Sequence, residues 1–141
     1  METLFLHVND PGAVETVGDI LRRGGLAAIP TETVYGLAAN ALDGKAVAGI
    51  FAAKGRPADN PLIVHICDMN QWDALVEEIP ENARLLAEAY WPGPLTIILP
   101  KADCIPDTVS PGLSTVSVRF PAHPAAQAVI RAAGCPLACK S

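Results

Sequence analysis

The sequence is sparing with the features that mark several large classes of protein. Charged residues are 18% of the 141 positions, aromatics are 5%, and the formal balance is −5 at pH 7. With acidic residues in excess there is no global basic field to gather nucleic acid or an anionic membrane, so any anion site must be local. Long apolar runs are missing as well: stretches such as 46–53 fall far below the roughly 18 residues of a spanning helix. Met1, Glu2, Thr3 and Leu4 carry neither the basic nor the apolar region of a secretory signal, and the expectation is a cytoplasmic protein with no membrane partner. Cysteine is limited to Cys67, Cys104, Cys135 and Cys139, with no Cys-x-x-Cys pair and no histidine at finger spacing. Buried free thiols are expected in place of a disulfide framework or a structural metal. Also missing are Gly-x-Gly-x-x-Gly, the Walker-type glycine loop, the Gly-x-Ser-x-Gly elbow and His-Glu-x-x-His. Dinucleotide redox, P-loop, serine-hydrolase and zincin chemistry thereby lose their usual supports.

What the chain does have is apolar mass. Half of its residues are apolar and the mean hydropathy is +0.29, which excludes disorder as the dominant state and suffices for one core. A single domain over residues 1–141 is expected. Thirteen prolines exceed the usual share of about 5% and predict many defined loops.

Along the chain, short apolar runs alternate with helical periodicity. Strands are expected at 4–8, 26–29, 62–66, 95–99, 115–120 and 136–139. The first helix is expected to begin with Asp10 as cap and Pro11 at its first position, to bury Val14, Val17, Ile20 and Leu21, and to stop at Gly24 and Gly25. Asp43 caps a helix carrying Val47, Ile50 and Phe51, and Asp68 begins another. A helix from Pro80 and Glu81 turns Leu85, Leu86 and Ala89 inward, and His123 and Pro124 open a last one that ends at Gly134. The alternation predicts an α/β layer fold with a mixed sheet and flanking helices.

Polar side chains fall at the ends of these strands, where open α/β sheets bind ligands. Thr31, Glu32 and Thr33 follow a buried strand and either line a crevice or cap the next element. Lys54 and Arg56 lie one residue apart in a stiffened loop and suit phosphate oxygens, or are solvated surface cations. Asn60 hydrogen-bonds a ligand or shapes the turn before Pro61. His65, within an apolar strand, is a core histidine or a substrate contact. Arg119 shares a strand face with Thr115 and Ser117, opposite Val116, Val118 and Phe120. In a central strand its guanidinium needs an anion, which is either an internal carboxylate or a bound one. The set holds no evident nucleophile and no acid–base pair. It fits chemistry done by positioning and electrostatics, as in nucleotidyl and phosphoryl transfer.

Five strings occur in order: 30–37 (PTETVYGL), 50–57 (IFAAKGRP), 60–65 (NPLIVH), 91–96 (WPGPLT) and 118–121 (VRFP). Together they resemble the YrdC-like family of L-threonylcarbamoyladenylate synthases, over nearly the whole chain from about Asp10. The resemblance implies a YrdC-like fold with a cavity, and condensation of L-threonine, bicarbonate and ATP to threonylcarbamoyl-AMP and pyrophosphate, with magnesium accompanying ATP. The product serves N6-threonylcarbamoyladenosine formation at tRNA position 37, which implies downstream threonylcarbamoyl transferase proteins, and tRNA itself, as further partners. By motif, Thr33, His65 and Arg119 would contact threonine; Lys54, Arg56, Asn60 and Thr115 would line the ATP side, Lys54 and Arg56 as the catalytic cations. Family members continue after the last strand with Pro-Ser-Ala-Asn. Here Lys140 stands at the proline, Ser141 at the serine of the ATP site, and the expectation is a fold incomplete at its C-terminus. The resemblance leaves two rivals: a carbamoyl-transfer domain of the same fold and a non-catalytic RNA-binding module.

Overall fold

The structure is a computed structural model that describes residues 4, 6, 7, 9–30, 35–54 and 61–140, Lys54 by its backbone only. Eleven elements follow in the order α1 (Ala13–Arg22), β1 (Ala27–Pro30), β2 (Tyr35–Asn40), α2 (Gly44–Lys54), β3 (Ile63–His65), α3 (Met69–Leu75), α4 (Glu81–Tyr90), β4 (Thr96–Pro100), β5 (Thr115–Arg119), α5 (Pro124–Ala133) and β6 (Leu137–Lys140). They build a six-stranded sheet ordered β1-β2-β6-β3-β5-β4. Among the described strands only β3 and β5 pair in parallel, and the other four pairings are antiparallel. The mixed α/β sheet expected from the sequence is therefore the one observed.

Local chemistry sets most boundaries. The Asp43 carboxylate accepts from the amides of Lys45 and Ala46 at 3.1 and 3.2 Å, and Asp68 accepts from Asn70 at 2.7 Å, each satisfying orphan donors of the helix that follows. His123 Nδ1 accepts from the Ala125 amide with Pro124 next to it, and Gly134 ends α5 at φ +72°. The first helix differs from expectation. Its cap is Gly12 at φ +77°, because the Asp10 carboxylate turns back to accept from the His7 amide at 3.1 Å, and Pro11 precedes the helix. Leu4, Leu6 and His7 lie in no strand, against the expectation for 4–8, whose Phe5 and Val8 are outside the described residues.

The sheet separates two cores. On one face α1 and α5 cover β1, β2 and β6, through Leu21, Ile29, Ala38, Ile130, Leu137 and Cys139. On the other, Val47, Ile50, Phe51, Trp72, Leu75, Ala83 and Ala87 from α2, α3 and α4 pack on Val64, Val116 and Val118. In α4 the inward residues are Ala83 and Ala87, whereas Leu85 and Leu86 are 57% and 46% exposed and Ala89 faces outward, a correction to the sequence expectation. Small side chains there let the helix lie close to the core, and the larger ones are left on its outer side.

Helices α1 and α5 meet at Gly18. A Cβ there would lie 2.7 Å from the Ala132 Cβ and carbonyl carbon, closer than packed atoms sit. Gly18→Val is expected to lower the unfolding free energy by about 1–3 kcal/mol through overpacking. The denaturant midpoint should fall with an unchanged slope, and an unchanged midpoint would contradict the contact.

Candidate functional site

Strand register decides which side chains share a surface, since directly paired residues point to the same face of a sheet. One row crosses five strands as Asn40, Leu137, His65, Arg119 and Thr96, and the next runs Ala38, Cys139, Ile63, Ser117 and Ile98. Ala38, Leu137 and Cys139 are buried under α1 and α5. Further along the same face, on β3, β5 and β4, the surface becomes polar and accessible: Thr96, Thr115, Ser117 and Arg119 are half-buried, and Ile98 is 61% exposed. A strand reading Thr-Val-Ser-Val-Arg thus buries Val116 and Val118 in one core and turns three polar side chains to the opposite face.

Arg119 is the electrostatic centre of this surface. Its Nε and one terminal nitrogen (Nη2) donate to Thr96 Oγ1 at 3.1 and 2.8 Å. Among the described residues no salt bridge reaches it. The internal carboxylate that the sequence left open as a partner is, within those residues, a neutral hydroxyl, so the positive charge stays available to an external anion. His65 is opposite Arg119 in the parallel pair and only 3% exposed. Its Nδ1 lies 3.1 Å from the Ile63 carbonyl, which can only accept, so the proton is on Nδ1. It is a hydrogen-bonded buried histidine that sits beside the polar surface, as the core-histidine reading expects.

Cys139 is two residues along β6 from Leu137. Burial pushes its thiol up to about 12, with the Arg119 guanidinium acting in the opposite direction. It is a protonated, inert neighbour at neutral pH. Burial also raises Cys67 and Cys135. All four cysteines are free, but Cys104 is exposed and Cys67 half-buried, so buried thiols describe only Cys135 and Cys139.

Of the sequence-derived set, the structure pairs His65 with Arg119 and puts Thr115 on the same sheet face, four residues back along β5 and opposite Pro100. Lys54 is the last residue of α2, not a loop residue as expected, and its side chain is outside the described residues. Thr33, Arg56, Asn60 and Ser141 are outside them too, as are Thr31 and Glu32. Thr96 was missed. A threonine in a strand is an ordinary β-former, and only the pairing of β4 with β5 shows it opposite Arg119.

Comparison with known proteins follows the same lines. The Sua5/YciO/YrdC family, described under telomere recombination, matches residues 19–141. A threonylcarbamoyl-AMP synthase of Pyrococcus abyssi is 52% identical over 128 residues, covering 91% of this chain and 38% of the relative. One of Bacillus subtilis is 50% identical over 140 residues, covering 96% and 39%. The crystal structure of P. abyssi Sua5 complexed with L-threonine matches with a TM-score of 0.88 over 91% of this chain and 38% of that one, at 52% identity. The chain spans about two fifths of the length of these relatives. Since the family match takes in every strand of the sheet and the site just described, the chain belongs to the Sua5/YciO/YrdC family.

Proposed function

We propose that the protein makes L-threonylcarbamoyl-AMP from L-threonine, bicarbonate and ATP, with release of pyrophosphate, for N6-threonylcarbamoyladenosine at tRNA position 37. The observation that carries this reading is the half-buried Arg119 guanidinium, held by a neutral hydroxyl on an accessible polar sheet face. A carboxylate-bearing substrate supplies the anion such a group requires. Relatives at 50% and 52% identity bear the name of this activity, and the matched P. abyssi structure is a complex with L-threonine.

In this reading Arg119 takes the threonine carboxylate, and Thr33 and His65 are further contacts of threonine. Bicarbonate takes up a proton and loses water to give carbon dioxide, and the threonine amine adds to its carbon and gives up a proton, leaving a carbamate. A carbamate oxygen attacks the α-phosphorus of ATP, the bond to the bridging oxygen breaks, and pyrophosphate departs with the electron pair. Lys54 and Arg56 offset the charge that develops on the phosphates, and Asn60, Thr115 and Ser141 complete the nucleotide side. No covalent intermediate with the protein is needed. Magnesium enters as the counter-ion of ATP and so as part of the substrate. Among the described residues no group of three His, Cys, Asp or Glu side chains could hold a metal of the protein's own. Nor is any described helix long and apolar enough to cross a membrane, and the cytoplasm, where tRNA and ATP meet, is the proposed compartment. The proteins that transfer the threonylcarbamoyl group to tRNA are the proposed downstream partners.

The test is pyrophosphate release by the full-length protein with each substrate withheld in turn. Release is expected to require threonine and bicarbonate together. Turnover that persists without threonine, or that needs carbamoyl phosphate in its place, would overturn the reading.

A further inference from the structure

We propose that Thr96 is a positioning residue for substrate recognition: its hydroxyl fixes the Arg119 guanidinium so that the outer edge of the fork faces the substrate carboxylate. The inference rests on the reading of Arg119 given above. A guanidinium has five N–H donors in a plane, two along its Nε edge and three around its outer end. The Thr96 hydroxyl accepts from Nε and from Nη2, the pair that makes up one edge. That edge is therefore closed to any other ligand. What remains is the second Nη2 proton and both protons on Nη1, and the outer pair is the parallel arrangement that binds a carboxylate through both oxygens.

The choice of a hydroxyl has its own consequence. An aspartate or glutamate opposite Arg119 would hold it as firmly but would neutralise it, and a bound anion would then be repelled by the resident one. A hydroxyl holds the fork without cancelling its charge. With both lone pairs engaged by Arg119, the Thr96 proton is left to donate, and among the described residues no acceptor takes it. The branched Thr96 side chain has few rotamers in a strand, and the antiparallel register places it directly across from Arg119, so the hydroxyl is held in place by the sheet itself.

Thr96→Val keeps the shape and the branching and removes the hydroxyl. In the full-length protein it should raise the threonine KM and Kd about tenfold, leave the ATP Kd within about twofold, and change kcat far less than KM. Thr96→Ser should restore threonine affinity to within about threefold, and Thr96→Asp should abolish threonine binding while the protein remains folded by circular dichroism. In an Arg119→Ala background Thr96→Val should have no further effect on threonine, because its action runs through the guanidinium. If Thr96→Val binds threonine like the wild type while Arg119→Ala does not, the positioning role is refuted and the functional reading stands. If Thr96→Val weakens ATP and threonine equally, the residue is merely structural and the proposal fails. If Arg119→Ala itself leaves threonine binding intact, the reading of the site falls first and this inference with it.

Discussion

Replacing Arg119 with alanine is expected to raise the Kd for L-threonine about 100-fold while moving that for ATP less than about threefold. The size follows from what the guanidinium does on the accessible face of β5. Losing one partner of a partly desolvated, two-point ion pair costs about 3 kcal/mol, and each 1.4 kcal/mol is a factor of ten. The asymmetry follows from geometry: one edge of the fork is committed to Thr96, so the remaining edge serves one anion. Arg119→Lys should fall between the two, since an ammonium keeps the charge and loses the paired donors. Calorimetric titration of each substrate separates the outcomes. A variant that loses ATP affinity and keeps threonine affinity would move Arg119 to the nucleotide side of the site.

The largest stability effect is expected at Trp72. The side chain is fully buried and meets Trp91 edge-on with ring centroids 4.7 Å apart, and Trp91 in turn lies 6.4 Å from Phe120. Trp72→Ala should cost about 3–5 kcal/mol in unfolding free energy, the usual loss for a truncated core aromatic. Trp72→Phe should cost far less than its lost volume implies. The indole Nε1 is buried without a hydrogen-bond partner among the described residues, so phenylalanine removes an unsatisfied donor along with the ring. Chemical denaturation of the two variants decides it, and a Trp72→Phe loss as large as that of Trp72→Ala would contradict the expectation. The effect should reach the site as well, because Trp91 Nε1 donates to the Leu95 carbonyl at 2.7 Å, one residue before Thr96. A loosened Trp91 would let the start of β4 shift against β5, and threonine affinity should weaken together with stability.

Much of this architecture could be read along the chain. Alternation in 115–119 separates Val116 and Val118 from Thr115, Ser117 and Arg119 without help from any neighbour, because a strand's period is two. Asp43, Asp68, His123 and Gly134 mark helix ends by chemistry local to the next few amides. Most of what failed depended on partners elsewhere in the fold, Asp10 being the local exception. Leu85 and Leu86 carry more apolar area than Ala83 and Ala87, yet the alanines are inside, since the space beside the sheet sets which face of α4 packs. Asp10 has the right residue type for a cap and spends its carboxylate on the preceding turn. Residues 30–37 were read as a motif, and Tyr35–Asn40 is a strand, its pairing with β1 and β6 being visible only once both are placed. At the site, Arg119 announced itself by its cost of burial, whereas the hydroxyl that holds it comes from a strand more than 20 positions earlier in the sequence.

The place of β6 in the sheet has a consequence for how the molecule assembles. It pairs with β2 on one side and β3 on the other, and among the described strands it alone joins the β1-β2 pair to the β3-β5-β4 group. Leu37 meets Lys140 about 100 residues away. Until residues 137–140 arrive, a nascent chain on the ribosome can hold two separate half-sheets, each with an unpaired edge. Joining them requires closing a long loop, which makes the final docking slow and leaves those edges open to other chains in the meantime. Between emergence of β5 and insertion of β6, the free edges of β2 and β3 are thus the part of the sheet open to pairing with another strand.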